Sequence, residues 1–248
     1  MSSLLDGDTD ATLALFGGEG EVHDVLSGGI GAAMFPYWAA ARHMYLVDRK
    51  ARLEPLRTTR SGSRAVVELT MHLSIDGRPV ALPVAVVGEE AGELLVRARV
   101  YHSTFPLRGQ HTPRDAFMPP DPELRPADVV GRYMDALHAG DVEGILACLE
   151  PDAVVREPSG GEFTYTDAEG HRRFYGTILA RGGIVLDHVS MTDEGAACAI
   201  EYNVVRWGTV ELVVPHPGVA VYERSPGGKL SAVRIYDDVD PPLAGESE

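Results

Sequence analysis

One nine-residue strand is written twice in this chain, and that repeat constrains the fold more than any other feature. The first copy reads Leu95-Val-Arg-Ala-Arg-Val-Tyr-His-Ser103 and the second Leu230-Ser-Ala-Val-Arg-Ile-Tyr-Asp-Asp238, 135 residues later. Both run apolar residues through an Arg-φ-Tyr core, φ being apolar, and both soon reach Pro-Leu or Pro-Pro-Leu. The residues ahead also match. Val84-Ala-Val-Val-Gly-Glu-Glu-Ala-Gly-Glu-Leu and Val219-Ala-Val-Tyr-Glu-Arg-Ser-Pro-Gly-Gly-Lys-Leu are each a strand, a Gly-containing turn and the start of the next strand. This spacing far exceeds a solenoid period and is that of two similar domains in tandem. A chain of 248 residues has room for two domains of roughly 100–150 residues.

No apolar run approaches the roughly 20 residues of a membrane span. The opening Met-Ser-Ser-Leu-Leu-Asp-Gly-Asp has neither a basic start nor a long apolar core, so no secretory signal and a cytoplasmic location are expected. Cys148 and Cys198 each have apolar or small neighbours and read as reduced core residues, a disulfide being the alternative. Residues 1–120 carry 12 Lys and Arg against 14 Asp and Glu, whereas residues 121–248 carry 10 against 23. Most of the net charge of −15 therefore sits in the second half. Such a surface repels phosphate and anionic lipid, which argues against nucleic-acid and membrane partners. It also serves plain solubility.

In the first half, residues 1–22 hold one short apolar stretch, enough for a single frayed helix. Val22 to Leu26 reads as a strand closed by a turn at Ser27-Gly28-Gly29. Phe35 to Lys50 reads as a helix, with Pro36 in its first turn and Trp38, Ala41, Tyr45 and Val47 at a rough 3.6 period. Strands follow at 65–73, 80–87 and 94–105, with an Asp76-Gly77 hairpin signal. Residues 106–126 hold six prolines and read as an interdomain linker.

The second half opens with a helix at 126–139 that Gly140 stops, and Asp141 caps a second helix at 142–149. A strand at 151–156, a Ser159-Gly160-Gly161 turn and a third helix at 167–181 come next. Strands at 184–191, 196–207, 209–214, 219–224 and 230–238 complete an α+β layout. A strongly curved antiparallel sheet of this kind wraps its helices and leaves a hydrophobic pocket between them. The expected division is a degenerate first domain at 1–107, a linker at 108–125, a complete second domain at 126–242 and a tail at 243–248.

The helix–Gly140-Asp141–helix opening, the Glu150-Pro-Asp-Ala-Val-Val155 strand, the long third helix and the closing Arg-Ile-Tyr-Asp-Asp strand carry a resemblance. In that order they resemble the NTF2-like superfamily and, within it, the SnoaL-like polyketide-cyclase branch. The resemblance covers nearly all of 126–242, and 22–107 is similar to a shortened copy lacking most of two opening helices. It implies two cystatin-like α+β cones fused as an intrachain pseudo-dimer, with a homodimer as the further option. It implies cofactor-free acid–base catalysis, cyclase or isomerase in type, on a small apolar carbonyl compound such as a polyketide intermediate. The first domain would be scaffold or lid. The family also holds dehydratases, epoxide hydrolases and binders, so a non-catalytic small-molecule binder or a structural pseudo-dimer is the alternative.

In SnoaL-like cyclases an Asp near the end of the last strand is the acid–base group. The matching residues here are Asp237 and Asp238, which fall on opposite faces, so one alone can point inward. The family pattern assigns Asp238; a polar strand end facing solvent is the alternative. Glu201 and Asn203 share a strand face with Val205 and Trp207, and Glu201 is a second candidate carboxylate. The first copy places Glu68 opposite Glu201, which favours a shared structural role. Tyr165, His188, Glu201, Asn203, Trp207 and Tyr222 form the expected substrate-binding set, with Tyr202 and Arg206 nearby. His216, between Pro215 and Pro217, reads as a loop.

The nine histidines form no His-x-His or His-x-x-x-His grouping and Cys-x-x-Cys does not occur, so no metal is expected. No Gly-x-Gly-x-x-Gly follows a strand, and there is no Walker loop or Gly-x-Ser-x-Gly elbow; no nucleotide cofactor or serine hydrolysis is expected. The Arg-x-Asp pair of the limonene-epoxide-hydrolase branch does not occur, which weighs against epoxide hydrolysis. The ketosteroid-isomerase branch needs a Tyr and a protonated Asp, and no spacing assigns the Tyr.

Overall fold

The computed structural model describes residues 2–17, 20–24 and 26–240. The tail expected at 243–248 and Val25 of the strand expected at 22–26 lie outside them. The chain divides into two compact units, Met1–His102 and Ser103–Glu248. The division falls after His102, not at 107, and the proline-rich stretch belongs to the second unit.

The first unit runs α1 (Ser2–Leu5), α2 (Thr9–Ala14), β1 (Glu21–Asp24), β2 (Gly28–Ile30), α3 (Phe35–Asp48), β3 (Arg52–Ser61), β4 (Arg64–Ile75), β5 (Arg78–Ala91) and β6 (Leu94–Tyr101). Two short helices thus replace the single one expected, the second capped by the Asp8 carboxylate on the Ala11 N–H at 2.8 Å. Gly28 and Gly29, expected as a turn, pair with Asp24 and His23. The strand β3 was not expected. It carries Arg52, Glu54, Arg57 and Arg60 and buries Thr59 alone, so no alternating apolar pattern announces it. It forms because it lies at the sheet edge beside β4, whose backbone fixes it.

The second unit runs α4 (Phe105–Arg108), α5 (Asp128–Ala139), α6 (Val142–Cys148), β7 (Leu149–Arg156), β8 (Thr164–Tyr165), α7 (Ala168–Ile178), β9 (Ile184–Asp193), β10 (Ala197–Trp207), β11 (Val210–Arg224) and β12 (Leu230–Tyr236). Gly140 ends α5 in the left-handed region, and the Asp141 carboxylate caps α6 on the Gly144 N–H. The two strands expected at 209–214 and 219–224 are one, β11, and His216 is a strand residue paired with Val204. Pairing steps from Val204↔His216 to Arg206↔Glu211, so Pro215 falls in a bulge where its missing N–H breaks no ladder bond.

Each unit holds one six-stranded sheet, in the orders β2-β1-β6-β5-β4-β3 and β8-β7-β12-β11-β10-β9. Each sheet has one parallel pair, β1 with β6 and β7 with β12. Apart from the extra short helix α4, two opening helices, two strands, one helix and four strands recur in the same order. The units are two tandem α+β domains, and neither sheet closes. The repeated hairpins coincide with a one-residue slip. Tyr101 pairs with Ala85, whereas its counterpart Tyr236 pairs with Val219 rather than Ala220. A two-residue turn closes the first hairpin and the five residues 225–229, including Pro226, close the second. The slip brings Glu223 level with Glu89, so Arg234 meets Glu223 as Arg99 meets Glu89. Glu68 and Glu201, both buried, also occupy matching rungs, opposite Ala85 and Val219.

The core of the second unit lies between α5, α6, α7 and one face of its sheet. Val129, Tyr133, Leu137, Ile145, Phe174 and Tyr175 pack there against Ile200, Tyr202, Tyr222 and Val233. Cys148 and Cys198 are free thiols in this unit and are buried. Among the described residues no helix is long and apolar enough to cross a membrane.

Candidate active site

Strand alternation and helix periodicity converge on one cavity in the second unit. Its free interior volume is about 80 Å³, a narrow slot between aromatic and aliphatic walls. Ile235, Asp237 and Val239 line it as alternate residues of β12 and its continuation; Ala220 and Tyr222 of β11 and Tyr202 and Val204 of β10 do the same. The pairing shift between Val204 and Arg206 then reverses the phase, and Trp207 joins Tyr202 on the cavity face. The expectation that Trp207 shares a face with Glu201 and Asn203 fails for that reason. Tyr133 and Leu137, one turn apart on α5, and Phe174, Tyr175 and Ile178 on α7 close the wall from the helix side.

Asp237 is the buried carboxyl of this wall. The Tyr202 hydroxyl donates to its Oδ2 at 2.7 Å and the Val239 N–H to its Oδ1 at 3.3 Å. Burial disfavours the carboxylate more than these donors stabilise it, and the carboxyl is pushed up to about 6. Tyr133 and Tyr175 share a hydrogen bond of 2.9 Å. One phenol donates to the other, which leaves one hydroxyl proton over. Burial holds both phenols above their ordinary value. Glu157 is also on the wall. Burial raises its carboxyl despite the Tyr165 hydroxyl that donates to Oε1 at 2.8 Å.

Asp238 is placed differently. Its side chain is gripped by the segment ahead of α5. Ser103 Oγ, Thr104 N–H and His111 Nδ1 reach Oδ1 at 2.8, 2.9 and 3.0 Å. Thr104 Oγ1 and Thr112 N–H reach Oδ2 at 2.6 and 3.0 Å. Burial opposes its charge, but the donors from His111, Thr104 and Ser103 outweigh it and hold the carboxyl below the ordinary value. The cavity carboxylate is therefore Asp237, and Asp238 anchors a chain segment. The family pattern points to Asp238, but strand alternation has no sign; the 103–112 segment takes up Asp238 and leaves Asp237 on the cavity wall.

The other expected site residues divide. Trp207 and Tyr222 line the cavity, and Tyr202 joins them. Trp207 Nε1 donates to the Ile178 carbonyl at 2.8 Å, which ties α7 to β10. Tyr165 is not on the lining and donates its hydroxyl to Glu157, which is. Glu201 is buried on the far face, where the Ser190 hydroxyl donates to it. Asn203 donates to the Met118 carbonyl at 3.0 Å. His188 lines a separate groove with Pro120, Asp121 and Arg125. Sequence reasoning missed His111, Glu157, Tyr133 and Tyr175. The two tyrosines lie on the buried faces of α5 and α7 among apolar residues, where nothing in the sequence sets them apart from core. His111 had no local signal, since it lies among prolines in a stretch that read as linker.

The family model for the SnoaL-like domain matches residues 130–233. No curated protein gives a significant match. Among solved structures the chain is similar to a putative polyketide cyclase from Sinorhizobium meliloti, at 22% identity over 40% of this chain and 86% of that one, with a TM-score of 0.33. It is similar to a hypothetical protein with a ketosteroid isomerase-like fold from Catenulispora acidiphila, in complex with trimethylamine, at 20% identity over 41% and 80%, TM-score 0.35. It is also similar to SalBIII, an epoxide hydrolase/cyclase-like enzyme of pyran ring formation in the polyether salinomycin, at 16% identity over 44% and 87%, TM-score 0.38.

Proposed function

Residues 130–233 are a SnoaL-like domain, and on that premise we propose that the second unit is a cofactor-free acid–base enzyme. It is of cyclase or isomerase type and acts on a small apolar carbonyl compound such as a polyketide intermediate. Asp237 carries this reading, as a buried carboxyl on an aromatic wall that burial pushes up to about 6. At neutral pH such a group is mostly ionised and still basic enough to take a proton from carbon beside a carbonyl. The Tyr202 hydroxyl fixes its orientation. The spare hydroxyl proton of the Tyr133–Tyr175 pair can donate to the substrate oxygen as charge gathers there. The aromatic walls match an apolar ring system, and two acidic side chains on the lining disfavour anionic substrates.

The test uses 2-tetralone, a bicyclic ketone with acidic α-protons. In D₂O the wild-type protein should exchange those protons above the buffer rate. Asp237→Asn should lose about 100-fold of that rate while keeping its circular dichroism. Exchange by the variant at the wild-type rate rules out Asp237 as the base. Saturable binding of 2-tetralone without exchange would instead assign the cavity a binding role.

A further inference from the structure

The proline-rich stretch contributes a side chain to the cavity it runs beside. His111 is on the lining with Asp237, Glu157 and Ser159. Its Nδ1 lies 3.0 Å from Asp238 Oδ1 and 3.1 Å from Ser103 Oγ. Asp238 is an acceptor there, so Nδ1 carries the proton and the exchangeable position is Nε2. Ser159 Oγ lies 3.4 Å from Nε2 and holds it weakly. The Phe105 ring packs beside the imidazole at 5.2 Å between centroids and fixes its plane. One ring edge is thus gripped and the other is offered.

We propose that His111 is the second proton-transfer group of this cavity, a general acid that donates through Nε2 while Asp238 positions it through Nδ1. The inference rests on the acid–base reading of Asp237 and deepens it. A merely structural histidine would need only the Asp238 edge, and would have no reason to stand on the aromatic wall. The charged groups facing it are Asp238, Asp237 and Asp240 from the end of β12 onward and Glu157 from the loop after β7. Burial disfavours the imidazolium, but the hydrogen bond and charge of Asp238 outweigh it and the group titrates above its ordinary value. In the pH window above about 6, where Asp237 ionises, and below the raised His111 value, the cavity then holds a base and an acid together.

The step balances without a co-reactant. Asp237 takes the α-proton, the C–H pair becomes the carbon–carbon π bond, and the carbonyl pair moves onto oxygen. That oxygen takes the Nε2 proton, giving an enol, a neutral His111 and a protonated Asp237. On ring closure the enol carbon attacks a second carbonyl. Asp237 returns its proton to the new alkoxide, and the enol proton returns to Nε2 as the first carbonyl re-forms.

The test is the pH profile of 2-tetralone exchange by the full chain. A bell is expected, rising as Asp237 ionises and falling as His111 loses its proton. His111→Gln should lower the maximum about 100-fold and remove the falling limb while keeping the rising one. Asp238→Asn should move the falling limb to lower pH, which a structural role alone would not do. A His111→Gln protein with the wild-type rate and both limbs overturns the proposal and leaves Asp237 standing. No exchange by the wild type overturns both. A measurement on the unaltered chain covers the case in which the variants do not fold. On addition of 2-naphthol, an apolar bicycle with one hydroxyl, the ¹⁵N resonance of His111 Nε2 should shift together with the Tyr222 ring signals. Tyr222 shifts with Nε2 unmoved would overturn the proposal.

Discussion

Asp237 binds its proton more tightly in the folded chain than in the unfolded one, and the sign of that difference fixes a pH dependence. Its carboxyl rises from 3.8 to about 6 on folding. Between those values the folded state keeps a proton the unfolded state has lost. Stability should therefore fall as pH rises from about 4 to about 6, by at most about 3 kcal/mol, and be level above. Asp238, held below its ordinary value, has the opposite sign, and its contribution is lost as pH falls through that lowered value. Urea unfolding of the wild type and Asp237→Asn across pH 4–7 isolates the first effect, because the variant should lack the fall. A parallel decline in both would place the proton elsewhere. Gly218 controls the same carboxyl from the next strand. It pairs with Tyr202, and a Cβ there would sit 2.6 to 2.7 Å from the Tyr202 ring carbons and hydroxyl. Gly218→Ala should push the phenol off Asp237. The carboxyl then loses its donor, and the rising limb of the exchange profile should move to higher pH. Sequence alone offered two adjacent aspartates, and the family pattern favours Asp238; the segment that takes up that side chain leaves no mark on the strand itself.

Among the elements, the end of α5 and the start of β9 approach closely enough to need glycine. A Cβ on Gly183 would overlap the His138 carbonyl oxygen, a backbone atom that cannot rotate away. Gly183→Ala should cost more than about 3 kcal/mol in urea unfolding, and would displace Ile184 and Leu186 of the cavity wall. Gly176, exposed on α7 with open space around it, is the control. Gly176→Ala should stabilise by about 0.5–1 kcal/mol. The helices α5, α6 and α7 were legible because Gly140, Asp141 and Asp167 mark their ends, whereas α4 falls in the stretch that reads as strand end and linker. The strand β3 was not, since an exposed edge carries no apolar alternation. Nor was the shift that turns Trp207 inward, because a bulge is set by pairing with neighbours and leaves no mark in the period of its own strand.

For the whole molecule, the repeat predicted two domains in tandem, and two sheets of identical strand order bear that out. The boundary was read too late because proline content suggested a linker. Those prolines instead lie along the second unit, with Ala116 N–H on the Pro215 carbonyl and Asp121 N–H on the His188 carbonyl, both at 2.8 Å. A fragment starting at Ser103 should therefore keep the Nδ1–H signal of His111 and unfold cooperatively. One starting at Pro113 leaves the Asp238 carboxylate without five donors and should be less stable by several kcal/mol in urea.

Ser103 and Asp238 are counterparts in the duplicated strand, and they touch. An aspartate in place of Ser103 would set two like charges against each other at that contact. A hydroxyl in one copy turns the same meeting into a donor and an acceptor. The duplicated strand therefore cannot end in aspartate at both positions without losing this hydrogen bond.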